Sequence, residues 1–512
     1  MNGAESLVRT LLACEVETCF ANPGTSEMHF VAALDAVPGM RCVLGLAEGV
    51  VTGCADGYGR MAGRPAATLL HCGPGFANGI ANLHNAKRAF TPVVNIVGDH
   101  ATYHRQYDPP LASDVEGLAR PVSHWVRTST TPGSVGADAA AAVQAARTPP
   151  GQVATLVLPA DASWDEGGQV ARALAPAQRR AVDAQAIRAV AEVLRREACM
   201  LLLGDAALGE AGLAAAWRIA QATGARLRTT GQVRRMARGR GRPPVDRVPY
   251  VLDKALDVFR DVRHLVLAGA RPPAQFFAYP GRPSLVYPPE ASVHVLARIE
   301  EDQVAALEAL ADEIGAPRRA PLPHAAPQAG FARGPFEAEA FGAMFGALLP
   351  EGCIVAEDAV TSGRSLFAKT FDSPPHDWLQ ITGGAIGHGF PCATGAAVAA
   401  PDRTVVCLQA DGGGMYSLQA LWTQARERLD VVNVVFANRA YRILQGELVA
   451  VGAKPGPASK DLFDLGRPDL DWVRLAEGMG VEAKSVDTLE AFADVFRAAC
   501  ARRGPFLIEM RI

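Results

Sequence analysis

Two polar residues follow two apolar runs in the last third of the chain, and together they have the chemistry of a metal site. Asp411 comes after the run 404–408, and Asn438 comes after the run 431–436. Both runs are typical of buried parallel strands, so both side chains are expected at the carboxyl ends of strands. Magnesium prefers hard oxygen ligands and commonly keeps phosphate oxygens in its shell. The pair therefore predicts a magnesium site that holds a diphosphate.

A glycine-rich turn directly after Asp411 supports the same interpretation. Gly412, Gly413 and Gly414 precede a stretch of helical length and composition, residues 417–428. A strand, a glycine-rich turn, a helix and a second strand form a parallel crossover whose helix N-terminus and free N–H groups suit a diphosphate. Taken by itself, the Asp-Gly-Gly-Gly sequence is equally consistent with a plain turn, so other parts of the chain have to decide.

Two residues with acid–base chemistry stand in the first third of the chain. Glu48 lies in the segment 46–60, among apolar and small residues, and His71 opens the sequence His-Cys-Gly-Pro-Gly. Carboxylate and imidazole groups are the usual proton carriers of active sites. The alternatives are a glutamate on a helix surface and a histidine that is hydrogen-bonded under the turn.

Length, charge and cysteine usage exclude several classes of protein. The chain has 512 residues, of which 49% are hydrophobic and 20% charged, and its formal net charge is -3. This balance favours neither nucleic acid nor an anionic membrane as a partner. The ten cysteines form no Cys-x-x-Cys pair, so neither a zinc site nor a disulfide framework is predicted. Since neither a secretory signal nor a long apolar run is found, a cytoplasmic location is expected.

One cluster of positive charge stands out from this balance. Five arginines lie between Arg234 and Arg242. A nucleic-acid patch would place aromatic residues among the arginines, and this segment has none. We therefore expect a solvated loop between domains or subunits.

Apolar strand-like runs alternate with alanine-rich helical stretches along the chain. This alternation predicts an α/β fold of three doubly wound domains with parallel sheets, at residues 1–165, 183–315 and 335–512. The predicted linkers are a segment rich in Ala, Gly, Pro and Arg at about 160–182 and a Pro/Ala segment at 316–330. Glu48 and His71 fall in the first domain, whereas Asp411 and Asn438 fall in the third.

In this order the motifs resemble those of thiamine diphosphate (ThDP)-dependent decarboxylases and carboligases, the group that contains benzoylformate decarboxylase, acetolactate synthase and pyruvate decarboxylase. The family's Gly-Asp-Gly motif and its later Asn match Asp411 and Asn438, with Ala410 in place of the first glycine. The segments 20–27, 46–60 and 71–78 match its Asn-Pro-Gly segment, its glutamate before Ala-Asp-Gly-Tyr and its glycine-rich turn. The resemblance implies the ThDP-binding fold.

The resemblance also implies a role for individual residues around the cofactor rings. Glu48 matches the glutamate that contacts N1′ of the aminopyrimidine and favours the imino tautomer, which takes the proton from thiazolium C2. Ile386 matches the apolar wedge that holds the two rings bent toward each other. The backbone carbonyl of Gly384 matches the acceptor of the 4′-amino group.

The diphosphate end of the cofactor is assigned in the same way. Asp411, Asn438 and the backbone oxygen of Ala440 match the Mg²⁺ ligands, and the segment 357–362 is a looser match to diphosphate neighbours. The other cofactor contacts implied by the resemblance are Asn22, Pro23, Gly24, Gly75, Asn78, Gly412, Gly413 and Tyr441.

Family members begin alike: the C2 ylide attacks a 2-oxo acid, carbon dioxide leaves, and an enamine results. Protonation of the enamine releases an aldehyde, whereas attack on a second carbonyl gives a carboligation product. His71 and Thr25 match a proton-transferring His and a substrate-contacting Ser of benzoylformate decarboxylase. The resemblance thus implies non-oxidative decarboxylation of a 2-oxo acid, with an acetolactate synthase-like carboligase as the alternative.

Four side chains keep an open role at this stage: His100, His104, Tyr279 and His388. The segment 204–209 is not a dinucleotide fingerprint, so no flavin is expected in the middle domain, although acetolactate synthases hold FAD there. The same observation disfavours a nicotinamide oxidoreductase.

The resemblance further implies active sites between subunits, in a homodimer or a homotetramer. A ThDP-binding protein without catalysis is a further alternative. It is disfavoured because Glu48, Asp411 and Asn438 are all present.

Overall fold

The computed structural model describes residues 1–323 and 331–512. Three sheets organise these residues, and helices pack against each of them. Their strands pair in parallel, except for one antiparallel pair at the edge of the third sheet. The predicted α/β fold with three parallel-sheet units is therefore confirmed. Residues 324–330 of the expected Pro/Ala linker lie outside the described residues. The exact limits of the domains stay a proposal.

The first sheet has the strand order β2-β1-β3-β4-β6-β5. Its strands are β1 (Thr18–Ala21), β2 (Arg41–Leu44), β3 (Ala66–Leu70), β4 (Val93–Asp99), β5 (Trp125–Thr128) and β6 (Val153–Pro159). Its helices are α1 (Gly3–Ala13), α2 (Met28–Ala36), α3 (Glu48–Ala62), α4 (Cys72–Ala89), α5 (Val115–Ala119), α6 (Pro132–Arg147) and α7 (Ala160–Trp164). Strands β3, β4 and β6 are buried throughout because helices cover both faces of a parallel sheet.

The second sheet is smaller, with the order β10-β8-β7-β11-β12. The strands of this part of the chain are β7 (Cys199–Leu203), β8 (Arg226–Thr229), β9 (Met236–Arg238), β10 (Asp246–Arg247), β11 (His264–Ala268) and β12 (Ser292–Ala297). The helices are α8 (Ala184–Arg196), α9 (Glu210–Thr223), α10 (Leu252–Phe259) and α11 (Gln303–Glu313). Strand β9 leaves this sheet and belongs to the third.

The third sheet has the order β17-β18-β16-β15-β13-β14-β9. Its other strands are β13 (Ile354–Asp358), β14 (His376–Gln380), β15 (Val405–Ala410), β16 (Val431–Ala437), β17 (Glu482–Val486) and β18 (Phe506–Arg511). Its helices are α12 (Ala338–Leu348), α13 (Leu366–Lys369), α14 (Gly389–Ala399), α15 (Asp411–Gly414), α16 (Gln419–Glu427), α17 (Arg442–Ala450), α18 (Pro457–Leu462), α19 (Trp472–Gly478) and α20 (Leu489–Cys500).

The arginine-rich segment is not the solvated loop that its charge predicted. Its residues 236–238 form β9, which pairs antiparallel with β14. Arg238 is fully buried against the Phe367 ring, and burial lowers its pKa to about 9. Arg234 and Arg235 form ion pairs within the chain. Charge density alone could not reveal this, because the partners come from distant segments. The expected contact between domains is present, as a strand of the middle unit in the third sheet.

Two helices join the first unit to the third through close backbone contact. A Cβ at Gly57 of α3 would lie 2.0 Å from the Cys392 carbonyl oxygen, and a Cβ at Gly395 of α14 would lie 1.8 Å from the Cys54 carbonyl oxygen. Only glycine lets the two helices approach so closely. One apolar core consequently contains residues of both units. Across residues 1–323 and 331–512, no helix is long and apolar enough to cross a membrane.

Candidate active site

Asp411 and Asn438 lie at the same edge of the third sheet. Asp411 follows β15 and begins α15, and Asn438 follows the neighbouring parallel strand β16. The Asp411 carboxylate accepts hydrogen bonds from the backbone N–H groups of Gly412 at 2.8 Å and Arg439 at 2.7 Å. The Asn438 Oδ1 accepts one from Ala440 at 2.9 Å. Burial raises the pKa of Asp411. A buried carboxylate whose charge is uncompensated by a cation suits a metal site.

The glycines after Asp411 shape a cradle beside this edge. A Cβ at Gly412 would lie 2.4 Å from the Cε1 of Tyr441. A Cβ at Gly413 would lie 2.9 Å from the Nε2 of Gln409 and 3.7 Å from the Cβ of Ile386. The turn thus brings together the metal candidate, Tyr441 and Ile386, which lie far apart in sequence.

The loop 383–389 carries Gly384 and Ile386, and a buried carboxylate anchors its far end. Asp358 Oδ2 accepts hydrogen bonds from the backbone N–H groups of Gly387 and His388, both at 2.9 Å, and of Gly389 at 3.2 Å. Burial nevertheless raises the pKa of Asp358 to about 6. Gly384 itself has φ +77°, a conformation in which glycine is unstrained.

The first unit holds the near end of the same loop. Asn85 of α4 accepts hydrogen bonds from the N–H groups of Gly383 and Ala385 at 3.1 and 3.2 Å and donates one to the Ala385 carbonyl oxygen at 2.8 Å. Sequence reasoning missed Asn85, since its partners follow about 300 residues later and no local pattern marks the contact. The loop is thus fixed between the first and third units.

His388, whose role the sequence left open, lies in a buried network. Its Nε2 is 2.7 Å from Asp56 Oδ2, and Arg60 binds the same carboxylate through two nitrogens. Burial opposes the charge of Asp56, but Arg60 and His388 outweigh it and hold the Asp56 pKa below its usual range. Burial lowers the pKa of His388. Because Asp56 is ionised, Nε2 of the neutral imidazole carries the proton and donates a hydrogen bond to the Asp56 carboxylate. His388 thus has a structural role in this network.

Glu48 begins α3 in a setting that agrees with a buried acid–base role. Its side chain is 9% exposed, and its Oε2 accepts a hydrogen bond from Asn78 Nδ2 at 3.2 Å. A Cβ at Gly75 would lie 3.1 Å from Glu48 Oε1 and 3.2 Å from the Cβ of His71. Asn78 therefore binds the Glu48 carboxylate, and Gly75 lies between this carboxylate and His71.

His71 is oriented by partners that the sequence did not single out. Its Nδ1 lies 2.9 Å from Glu27 Oε2 and 3.1 Å from Ser26 Oγ. Glu27 is buried and also accepts a hydrogen bond from the N–H of Gly24 at 2.8 Å. The ring lies over Gly24, where a Cβ would be 2.2 Å from its Cγ. The residues that follow the predicted Asn-Pro-Gly segment thus hold the His71 ring in place. Glu27, three positions after Gly24, was the feature of the sequence that could have indicated this contact.

Thr25 lies in the 3-10 turn 25–27 between Gly24 and Glu27. Asn22 and Pro23 lie between the end of β1 at Ala21 and Gly24, which directly precedes this turn. The predicted residues of the first unit consequently gather around the carboxyl ends of β1 and β3. Cys72 lies in the same place, with its Sγ 3.2 Å from Ser26 Oγ, and burial raises its pKa to about 11.

The two groups of predicted residues are separated within one chain. His71 directly precedes α4, whereas Asn85, 14 positions later, contacts the loop of Gly384. A helix rises about 1.5 Å per residue, so roughly 20 Å separates the two positions. Gly384 and Ile386 therefore lie with Asp411, and Glu48 lies with His71.

Comparison with known proteins places this arrangement in a family. Residues 1–119 match the family model described as thiamine pyrophosphate enzyme, N-terminal TPP binding domain, and residues 363–510 match the C-terminal TPP binding domain. An acetolactate synthase large subunit-like protein, IlvX of Mycobacterium tuberculosis, is 52% identical over 100% of this chain and 99% of its own length.

The chain belongs to the thiamine pyrophosphate (ThDP) enzyme family.

Other ThDP enzymes are similar over the whole length. Benzoylformate decarboxylase of Pseudomonas aeruginosa is 28% identical, with 96% of this chain and 95% of the relative covered. The structure of a ThDP-dependent 4-hydroxybenzoylformate decarboxylase of Rhodococcus jostii RHA1 matches with a TM-score of 0.86 at 24% identity, over 100% of this chain and 99% of the other. At that identity the structural match shows the fold alone.

Buried polar atoms without a hydrogen-bond partner indicate where the diphosphate and metal end of the cofactor would fit in this ThDP enzyme. Several buried side-chain atoms around β13, β15 and α16 have no hydrogen-bond partner within the described chain: Asp358 Oδ1, Thr361 Oγ1, Gln409 Oε1, Ser417 Oγ and Gln419 Oε1. Buried polar groups are normally satisfied, so such a cluster is typical of a ligand site. Together with the buried glycine turn at Gly412 and Gly413, these atoms fit a polar, phosphate-bearing group.

Three further side chains of this ThDP enzyme were left without a role by the sequence: His100, His104 and Tyr279. His100 and His104 follow β4, with ring centroids 5.8 Å apart. Tyr279 donates a hydrogen bond to Glu447 Oε2 at 2.8 Å. A cavity of about 470 Å³ lies between the first and middle units and is lined by Gly204, Arg234 and Phe276, among others. The absence of a flavin there stays a prediction.

Proposed function

We propose that this ThDP enzyme uses Mg²⁺ to decarboxylate a 2-oxo acid without oxidation and releases an aldehyde. One observation carries the proposal: the His71 imidazole, oriented by Glu27, lies across Gly75 from the Glu48 carboxylate. A proton carrier next to the residue that assists the cofactor suits protonation of the product carbon.

Each group of residues has a separate task in this proposal. ThDP would supply the nucleophilic carbon and the electron sink that the loss of carbon dioxide requires. Glu48 would exchange a proton with N1′ of the aminopyrimidine, and Asn78 would orient the Glu48 carboxylate. His71 would deliver a proton to the product carbon, with Thr25 and the adjacent turn beside the substrate. The buried setting of Glu48 would strengthen these charge interactions by excluding water.

The metal part of the proposal rests on the donor set. Asp411, Asn438 and the Ala440 carbonyl oxygen would bind Mg²⁺ together with the diphosphate, since all are hard oxygen ligands. Gly412, Gly413 and Tyr441 would lie along the diphosphate, with Ile386 under the rings. The raised pKa of buried Asp411 supports a cation there, because a nearby positive charge would stabilise the carboxylate.

The third part of the proposed function is an active site that two subunits share. The cofactor is expected to touch both Glu48 and Gly384, whereas these two groups of residues face different places in one chain. Two copies that each contribute one group would complete two sites, so we propose a homodimer, or a homotetramer made of such dimers.

A second candidate function is that of an acetolactate synthase-like carboligase. The 52% identity to the acetolactate synthase-like relative favours it. It shares every step through loss of carbon dioxide and differs in the second carbonyl compound that accepts the fragment.

The test is product analysis by NMR. The protein is incubated with ThDP, Mg²⁺ and either benzoylformate or pyruvate. Aldehyde and carbon dioxide are expected, and Glu48→Gln should lower the rate at least about 100-fold. The exposed Glu17, changed to Gln, serves as the control with an unchanged rate. Acetolactate from pyruvate would instead establish the second candidate, and full activity in Glu48→Gln would refute the assigned site.

A further inference from the structure

Three aromatic side chains of the middle unit form a surface that has no role in the proposed function. Tyr250, Phe276 and Phe277 are defined here as the aromatic wall. The Phe276 ring lies 5.5 Å from Tyr250 and 4.9 Å from Phe277, centroid to centroid. Phe276 is 42% and Phe277 54% exposed, although both are large and apolar. Clustered exposed aromatic residues are typical of a binding surface.

The aromatic wall covers the loop that carries the predicted wedge. A Cβ at Gly384 would lie 2.6 Å from the Phe276 Cζ, so the ring edge rests on the glycine itself. Gly384 is two residues before Ile386. The wall therefore stands at the end of the cofactor cradle where the rings are expected, away from the diphosphate end at Asp411.

Two hydroxyl groups fasten the aromatic wall to the third unit. Tyr250 donates a hydrogen bond to Glu447 Oε1 at 3.0 Å, and Tyr279 donates one to Oε2 at 2.8 Å. Burial and the Glu447 carboxylate raise the pKa of both tyrosines, so both hydroxyls keep their protons and remain donors. Hydrogen bonds to an ionised acceptor are stronger than neutral ones. Glu447 thereby fixes the position of the wall.

The contacts of Glu447 also show which face of α17 meets the middle unit. Glu447 lies on α17, nine residues after Asn438, and Leu444 precedes it by three positions. Residues three apart share one face of a helix, so Leu444 lies on the face that meets the middle unit. Leu444 is 41% exposed.

We infer that the aromatic wall, with Leu444, is the pocket for the substrate side chain and selects 2-oxo acids with a planar aromatic side chain. Phe276 is the specificity-determining residue, and Glu447 is a positioning residue that acts through Tyr250 and Tyr279. The inference rests on the proposed function and names the substrate class of that site. An aromatic substrate ring would gain stacking contacts here that a methyl group could not.

The test measures kcat and KM for benzoylformate and for pyruvate. Phe276→Ala should lower kcat/KM for benzoylformate at least about 10-fold, mainly through KM, and change the pyruvate value less than about 3-fold. The matched control is Phe331→Ala, because Phe331 is also 42% exposed but packs on Arg497 of α20. This variant should match the unmodified protein with both substrates.

Glu447 variants separate positioning from mere folding. Glu447→Ala should show the same benzoylformate-selective loss, while Glu447→Gln, which still accepts a hydrogen bond, should recover much of it. Equal losses on both substrates in Phe276→Ala, or no loss on benzoylformate, would overturn the inference, as would an unmodified protein that uses pyruvate alone. Turnover of neither substrate, despite bound ThDP, would overturn the proposed function first and this inference with it.

Discussion

In the proposed mechanism, Glu27 determines how the His71 imidazole acts. The carboxylate lies 2.9 Å from Nδ1 and is itself buried, so it fixes both the ring orientation and the tautomer that presents Nε2 to the site. Glu27→Gln keeps the shape and removes the charge. We expect the rate of aldehyde release to fall roughly 10- to 100-fold, as for other partners of an acting histidine, with ThDP affinity unchanged.

Product composition distinguishes this role of Glu27 from a purely structural one. Slower protonation leaves the reacting fragment more time to meet a second carbonyl. With acetaldehyde added, the ratio of 2-hydroxy ketone to aldehyde should therefore rise in Glu27→Gln. Glu17→Gln is again the exposed control. An unchanged product ratio with a lower rate would speak against proton delivery by His71.

The free energy of unfolding should depend on pH through Asp358. Burial raises its pKa to about 6 in the folded apoprotein, against an ordinary value near 4. The folded state binds this proton more tightly than the unfolded chain does, so the stabilising contribution is complete below about pH 4 and is lost as pH rises through 6. Asp358→Asn has no such proton. Relative to the unmodified protein, its free energy of unfolding should improve by roughly 2 to 3 kcal/mol between pH 4 and pH 7.

The measurement is urea unfolding of both apoproteins at the two pH values. Taking the difference between pH values removes the constant cost of changing the hydrogen bonds to residues 387–389. Asp372→Asn, at an exposed position, should show no such pH dependence. If Asp358→Asn behaves in the same way, Asp358 is not the carboxyl group that titrates near pH 6.

At the scale of elements, the crossing of α3 and α14 is the most sensitive contact. A Cβ at Gly57 or Gly395 would meet a backbone carbonyl oxygen at 2.0 or 1.8 Å, and backbone cannot rotate away as a side chain can. We expect Gly57→Ala to destabilise the protein by about 3 kcal/mol, at the upper end for overpacking. Denaturant midpoints measure the effect.

Gly446 of α17 provides the matched control for that crossing. Nothing lies within 4 Å of its added Cβ, so Gly446→Ala should stabilise the exposed helix by about 0.5 to 1 kcal/mol. Equal stability of Gly57→Ala and the unmodified protein would show that the two helices can separate without cost.

Sequence and structure agree best where a contact is local to an element. Asp411 and Asn438 follow neighbouring strands, so apolar runs and a glycine-rich turn were sufficient to place them. Glu48 was assigned through the family resemblance, because its own surroundings in the sequence also allowed a helix surface. The partners of His71 and His388 could not be placed in this way. Glu27 meets His71 because β1 lies beside β3, and Asp56 meets His388 across 332 residues because α3 lies on α14. Such pairs depend on the packing of whole units, which periodicity does not encode.

At the scale of the whole molecule, the first and third units behave as one body. Asn85 holds the loop of Gly384, Asp56 holds His388, and the α3 and α14 glycines bring the two backbones together. The Asn85 contact fixes the position of the Gly384 loop relative to the first unit of its own chain. The proposed homodimer, in which two chains each contribute one group of residues to a site, can be tested by combining variants.

Two heterodimers can be purified if their two chains carry different tags. Their activities are expected to differ in opposite ways for active sites shared between chains and for active sites contained in one chain. In a dimer of Glu48→Gln and Asp411→Asn chains, shared sites leave one site with both native residues, so about half of the normal activity is expected. In a dimer of an unmodified chain and a Glu48→Gln/Asp411→Asn chain, each shared site carries one substitution, and almost no activity is expected. Sites contained within single chains would reverse both results, because only the unmodified chain would then be active.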